Sequence, residues 1–234
     1  MKKIYKRCKA VLYIIFIFFN AIAIFILFSL TNSQEKIHKI RRAWAKLQSK
    51  IIPFDVEVVG EIKQADMILM NHQSMLDIIA LEKIYPKNIA WIAKKELAQI
   101  PIFKICMTKP KLICIDRKNP RDIVRLLKEA KERLDEGRVL AIFPEGTRSR
   151  TEKILKFQNG AKILAEKLNL KIQPLLIVDS SKILDSKNFT LGSGTLKIVC
   201  LDIIDTSKEN WLEETRKQMQ DILDKERLKI KEKK

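Results

Sequence analysis

Apolar positions follow one another from Val11 to Leu30 (VLYIIFIFFNAIAIFILFSL) with no charge among them. At about 1.5 Å per helical residue, such a run matches the hydrocarbon core of a bilayer, about 30 Å thick. It predicts an N-terminal membrane helix over residues 11–30. The preceding Lys2, Lys3, Lys6, Arg7 and Lys9 would also suit a cleaved signal peptide. The run exceeds the about 7 to 15 residues of a signal core, however, and no clear A-x-A site follows it. A retained anchor is therefore expected. Basic residues flank it on both sides, so charge does not set its orientation, and a hairpin dipping into one leaflet fits both flanks.

The pattern then changes period. In TNSQEKIHKIRRAWAKLQSKII, Ile37, Ile40, Trp44, Leu47 and Ile51 recur at spacings of three and four, which predicts an amphipathic helix over residues 34–51. Periodicity alone does not say whether this stripe faces a bilayer surface or the protein core. Trp44 and the excess of Lys/Arg favour an interfacial helix. Residues 1–52 are read as the anchor and residues 53–234 as one folded domain.

Beyond residue 53, short β-branched runs alternate with helical patterns: VEVVG, ADMILM, NIAWIA, KLICID, RVLAIF, IQPLLIV and TLKIVCLDII. That alternation predicts an α/β domain, a mixed central sheet flanked by helices. One connecting helix is expected to start at Asn119-Pro120, bury Ile123, Leu126, Leu127, Ala130 and Leu134, and end before Gly137. A last helix over residues 208–229 carries Leu212, Met219, Ile222 and Leu223 and is expected to fray into the basic tail RLKIKEKK.

Charge sharpens the picture of the N-terminus. The 234 residues carry a net charge of +18, and residues 1–50 hold eleven Lys/Arg against the single acid Glu35. Strong basicity implies an anionic partner, either nucleic acid or lipid headgroups. Charge concentrated at the termini, with aromatics in the apolar run, points to an anionic membrane surface and away from nucleic acid. The four cysteines show no C-x-x-C spacing and only His38 and His72 could supplement them, so neither a metal site nor a disulfide framework is expected.

Two histidines leave few choices for a base near neutral pH, and His38 sits among cations that would depress its pKa. His72 follows the apolar run MILM and precedes Met75–Leu81, which resumes a helical pattern with Ser74 available as N-cap. It is thus expected in a strand-to-helix turn. On one continuous helix, residues five apart would point about 140° from each other. From the turn, His72 can meet Asp77, whose carboxylate would fix the imidazole tautomer and stabilise the imidazolium. Alone, this spacing is common and most often belongs to surface or satisfied polar residues.

A second segment adds weight. FPEGTRSR (Phe143–Arg150) directly follows an apolar strand, where sites of α/β proteins form. Gly146 permits close backbone approach, Thr147 offers a hydroxyl, and Arg148 presents a planar fork suited to phosphate oxygens. The strand LICI ends in Asp116-Arg117, and Arg117 either joins Arg148 around a phosphate or forms a simple surface turn. There is no G-x-S-x-G elbow, and neither Cys106 nor Cys114 has a histidine in motif spacing, so no side-chain nucleophile is read from the spacing.

In order along the chain, NHQSMLD, the strand-end IDR, FPEGTRSR followed by Phe157-Gln158-Asn159-Gly160, and Ile172-Gln173-Pro174-Leu175 resemble the motifs of the glycerophospholipid acyltransferase family. Within it, the resemblance is to enzymes acting on 1-acyl-sn-glycerol 3-phosphate. It implies transfer of a fatty acyl group from acyl-CoA or acyl-carrier protein to the free hydroxyl of lysophosphatidate, forming phosphatidate, with no metal or bound cofactor. His72 would deprotonate the hydroxyl and Asp77 would orient it. Glu145, Gly146, Thr147, Arg148 and Arg117 would line the glycerol-phosphate site, and Lys94 or Lys95 would add to it. Thioester donors are cytosolic, which implies a cytoplasmic membrane location with the catalytic domain facing the cytosol.

One stretch departs from the family pattern. Lys94-Lys95-Glu96-Leu97 and Pro101 match, but Lys104 stands at the first expected glycine and Thr108-Lys109-Pro110-Lys111 replaces the second. The shape of the acyl channel and acceptor pocket is therefore open, and glycerol 3-phosphate or another lysophospholipid is the alternative acceptor. A membrane-tethered, non-enzymatic binder of anionic lipid or nucleic acid is the remote alternative.

Overall fold

The computed structural model describes residues 2–96, 101–116, 119, 121–149, 151–185, 188 and 190–232, with backbone alone for residues 2–7, 9, 10, 14, 17, 18, 21 and 101–103. All seven expected strands form: β1 (Phe54–Val59), β2 (Met67–Met70), β3 (Ile89–Lys94), β4 (Ile113–Ile115), β5 (Val139–Ile142), β6 (Ile172–Val178) and, after a short hairpin, β9 (Gly194–Cys200). They make one sheet in the order β1-β9-β6-β2-β5-β3-β4. Parallel pairing joins β2 to β5 and β6, β3 to β4 and β5, and β1 to β9, while β6 and β9 run antiparallel. The hairpin of β7 (Leu184–Asp185) and β8 (Thr190–Leu191) was not expected, because two-residue strands leave no alternation to read.

The sheet is covered on both sides by α2 (Gln34–Ile51), α3 (Leu76–Ile84), α5 (Asp122–Asp135), α6 (Gly160–Leu168) and α7 (Trp211–Glu232). On β2, Ile68 and Met70 point to one face, where Ala45 of α2 and Leu76, Ile79 and Ala80 of α3 pack. Met67 and Leu69 point to the other, against Leu126 of α5, Leu164 of α6 and Met219 and Leu223 of α7. Strands buried on both faces read as continuous apolar runs, which is why MILM, VLAI and IQPLLIV show no alternation.

This layering opens the site. β2 and β5 are neighbours, yet β2 leads into α3 on one face and β5 leads toward α6 on the other. Where successive connections diverge to opposite faces, a crevice opens beyond the carboxyl ends of the strands.

The N-terminal segment corrects one expectation. Among the described residues, no helix is long and apolar enough to cross a membrane. Residues 11–29 are helical within α1 (Lys2–Ser29), but α1 lies along the domain, in contact with α4 (Pro101–Thr108) and β8. Tyr13, 3% exposed, donates its hydroxyl to Gln48 Oε1 at 3.0 Å, and Phe28 is 2% exposed. A helix packed along one side on protein does not offer lipid an apolar surface all round. For α2 the core-facing alternative holds over much of the helix: Ile37, Arg41, Ala45 and Gln48 are buried, and the helix packs on α3. Leu47 and Ile51 remain exposed.

Two further helices differ at their ends. α5 begins at Asp122, where Asn119 Oδ1 accepts the Arg121 N–H at 3.1 Å and its carbonyl accepts the Asp122 N–H at 3.0 Å; Pro120 lies outside the described residues. α7 does not fray at residue 229 but continues to Glu232, because its late residues have partners: Glu226 bonds Lys197 at 2.8 Å and Lys229 at 2.6 Å. Lys111, in the stretch without the family glycine, has φ +52°, a left-handed conformation that glycine adopts without steric cost.

Candidate active site

The turn after β2 is built from the backbone outward. Asn71 uses its side-chain amide as a strand would, donating to the Ile177 carbonyl at 2.8 Å and accepting the Ile177 N–H at 2.7 Å. This holds the end of β2 against β6 and starts the turn at His72. Asp77, in the first turn of α3 and 0% exposed, then collects three donors on Oδ2: the Gln73 N–H at 2.8 Å, the Ser74 N–H at 2.9 Å and His72 Nδ1 at 2.8 Å. A carboxylate oxygen only accepts, so Nδ1 carries the proton and Nε2 keeps its lone pair.

Ser74 departs slightly from its expected role. The N-cap position of α3 is Met75, which makes no side-chain bond. The Ser74 hydroxyl accepts the Leu76 N–H at 3.1 Å and donates to the Leu184 carbonyl at 2.6 Å, tying the helix start to β7.

The loop after β5 closes over this turn. Phe143 stacks on the His72 ring with centroids 3.9 Å apart and planes 14° from parallel, and Trp91 lies beyond it at 5.5 Å. The stacked aromatic face confines the imidazole on one side. Glu145, 4% exposed, accepts the His72 N–H on Oε1 and the Leu155 N–H on Oε2, each at 2.7 Å. Ser149 N–H donates to the His72 carbonyl at 2.7 Å. Both backbone groups of His72 are therefore held by the second loop.

This arrangement changes the part expected of Glu145. The resemblance placed it in the acceptor site, but both its oxygens are engaged by backbone. Burial, partly offset by those two N–H bonds, pushes its carboxyl up to about 7. Gly146 has φ +73° and closes the turn through its N–H to the Phe143 carbonyl at 3.0 Å. Thr147 and Arg148 are exposed.

Lys94 is exposed at the carboxyl end of β3, and Lys95 Nζ lies 4.0 Å from Asp116 Oδ2 at the end of β4. Parallel strands thus bring His72, the 143–149 loop, Lys94, Lys95 and Asp116 to one edge of the sheet. Arg117, Arg150 and Leu97 lie outside the described residues. Among the described residues, no group of three His, Cys, Asp or Glu is placed to hold a metal ion. Burial raises the Cys106 and Cys114 thiols, which disfavours a thiolate at either.

Sequence reasoning missed the Phe143 stack, the bridging role of Glu145, and the Asn71 and Ser149 bonds. All four residues stand inside the quoted motifs. The signal was present, but the backbone partners were invisible.

Glu145 gives a prediction for pH. Its folded pKa is raised from 4.5 to about 7, so the folded chain binds this proton more tightly than the unfolded chain. The associated stability is complete below the unfolded value and is lost as pH rises through the folded one. The thermal midpoint should fall between about pH 5 and 8, and Glu145→Gln should flatten that part of the curve. The amide nitrogen would also face a backbone N–H, so the variant should be destabilised by about 1–3 kcal/mol at low pH. Identical midpoint-versus-pH curves for the two proteins would refute the assignment.

Known proteins resemble this chain in sequence and in fold. Residues 47–178 match the family described as Acyltransferase. A Helicobacter pylori protein named 1-acyl-sn-glycerol-3-phosphate acyltransferase is 41% identical over 203 residues, 85% of this chain and 86% of the relative. A Saccharomyces cerevisiae protein of the same name is 30% identical over 78% of this chain and 64% of its own length. The crystal structure of the 1-acyl-sn-glycerophosphate (LPA) acyltransferase from Thermotoga maritima superposes with a TM-score of 0.73 over 99% of this chain and 98% of that one, at 23% identity, and shares its fold. With the family matched across β1 to β6 and the His72–Asp77 turn inside the matched region, the chain belongs to the acyltransferase family.

Proposed function

We propose that the protein transfers a fatty acyl group from an acyl thioester, carried by CoA or acyl-carrier protein, to the free hydroxyl of 1-acyl-sn-glycerol 3-phosphate, forming phosphatidate for phospholipid synthesis. The names of its relatives support this acceptor. The observation that carries the chemistry is the His72 Nδ1 to Asp77 Oδ2 bond of 2.8 Å, formed in a turn at the open edge of the sheet.

The mechanism follows from the tautomer. Nε2 of His72 takes the proton of the acceptor hydroxyl as its oxygen attacks the thioester carbonyl. Asp77 stabilises the resulting imidazolium. The tetrahedral intermediate collapses with cleavage of the C–S bond, and the leaving thiolate recovers the proton from Nε2. Arg148, with Thr147, is suited to the acceptor phosphate, and Lys94 adds positive charge on the same edge. The reaction as proposed uses no metal or bound cofactor.

The membrane arrangement is proposed from α1. Val11, Leu12, Ile15, Phe19, Ile26 and Leu27 of α1, with Leu30 just beyond it, are all exposed and, at about 100° per residue, fall within an arc of about 160° on one side of the helix. This stripe enters one leaflet of the cytoplasmic membrane while the opposite side of α1 stays on the domain, which faces the cytosol. Basic residues of α2 meet the anionic headgroups.

Purified full-length protein in lipid, given a labelled acyl thioester, should show its highest kcat/KM with lysophosphatidate in a panel that includes glycerol 3-phosphate and a second lysophospholipid. His72→Ala should reduce turnover at least about 100-fold. A different preferred acceptor would overturn the substrate, and unchanged turnover in His72→Ala would overturn the base. For the membrane contact, Phe19→Glu should release the protein from vesicles containing anionic lipid in a flotation assay. Equal flotation of variant and parent would contradict the stripe.

A further inference from the structure

The C-terminal helix reaches the loop that holds His72. Gln220 Oε1 accepts the Ile154 N–H at 2.7 Å, Arg216 donates to the Ile154 carbonyl at 3.3 Å, and Arg227 donates to the Glu152 carbonyl. Arg227 is itself fixed by two bonds to Asp179 Oδ1, at 2.9 and 2.7 Å, where β6 ends. Met219 and Leu223 are fully buried in the core cluster that also contains Ile154, so the helix cannot shift without disturbing that segment.

The path from this helix to the base is short. Ile154 is bonded to Gln220. The next residue, Leu155, gives its N–H to Glu145 Oε2, and Glu145 Oε1 takes the N–H of His72. These three hydrogen bonds are 2.7 Å each. In parallel, the Ser149 hydroxyl donates to the Lys153 carbonyl at 2.7 Å while its N–H holds the His72 carbonyl. Residues 151–155 therefore have α7 on one side and, through Glu145 and Ser149, the base on the other.

We infer that α7 is a distal positioning element for the reaction: Gln220 and Arg227 fix the backbone of residues 152–154, and through Leu155 and Glu145 they set the position of His72. None of the α7 side chains is assigned contact with substrate. Their effect passes through the loop, and the inference rests on the proposed role of His72 as base.

Gln220 separates positioning from folding, because it is partly exposed and its carbonyl oxygen is the atom used. Gln220→Glu keeps an acceptor oxygen there, whereas Gln220→Leu removes it. In full-length protein with lysophosphatidate and a labelled acyl thioester, Gln220→Leu should lower kcat about tenfold with donor KM unchanged, the scale expected for a displaced base. Gln220→Glu should restore kcat to within about twofold of the parent. Hydrogen–deuterium exchange of residues 149–158 should be faster in the leucine variant and near parental in the glutamate variant. Should Gln220→Leu fail to fold, Gln220→Ala serves the same comparison. Parental kcat and parental exchange in the folded variant lacking the oxygen would overturn the inference. A parent protein without turnover of lysophosphatidate would overturn the proposed acceptor instead, and the exchange difference would still decide whether α7 holds the loop.

Discussion

One carboxylate oxygen organises the site. Asp77 Oδ2 gathers two backbone N–H groups and the His72 ring at distances of 2.8 to 2.9 Å, with the side chain 0% exposed. A buried carboxylate without such donors would be costly, and the unpaired N–H groups of the turn would be costly in turn. Oδ2 meets both costs at once and so fixes the turn, and the turn fixes the imidazole, while the buried Oδ1 has no partner among the described residues. The partial positive charge at the start of α3 adds to the same effect, since Asp77 lies in its first turn. The five-residue spacing matters because the histidine stands outside the helix and the aspartate inside it.

A division of labour follows around this oxygen. Asp77 sets the ring, Phe143 covers one of its faces, and Glu145 and Ser149 hold its backbone from the neighbouring loop. The two loops belong to adjacent strands whose connections leave on opposite faces, so they meet only beyond the carboxyl ends. Polar side chains used for this assembly are buried, while Thr147, Arg148 and Lys94 are exposed on the same edge.

Much of this was legible in the sequence, and the exceptions share a cause. The seven strands announced themselves through β-branched runs, and the His72–Asp77 contact through a turn between a strand and a helical pattern. The β7–β8 hairpin was too short to show a period. The apolar run of residues 11–30 signalled helix and lipid alike, but could not show that Tyr13 and Phe28 pack inward while Leu12, Phe19 and Leu30 face out. In α2, Arg41 and Gln48 look polar in a stripe analysis, yet they are buried because Glu82, the Ile89 carbonyl and Tyr13 pair with them. The basic tail RLKIKEKK reads as a frayed end, whereas Arg227 has Asp179 as a distant partner. Sequence pattern shows which faces are apolar, but partners far along the chain decide which polar groups are buried.

The account rests on Asp77 holding His72 with its proton on Nδ1. Replacing Asp77 with asparagine keeps the size of the side chain and changes the acceptor, so kcat should be measured for Asp77→Asn at a substrate concentration saturating the parent, with the thermal midpoint recorded alongside. The account predicts that a folded Asp77→Asn protein loses at least about 100-fold in kcat, because the Gln73 and Ser74 N–H groups hold the amide oxygen in the place of Oδ2 and a neutral amide no longer stabilises the imidazolium. A folded Asp77→Asn protein with parental kcat would contradict it.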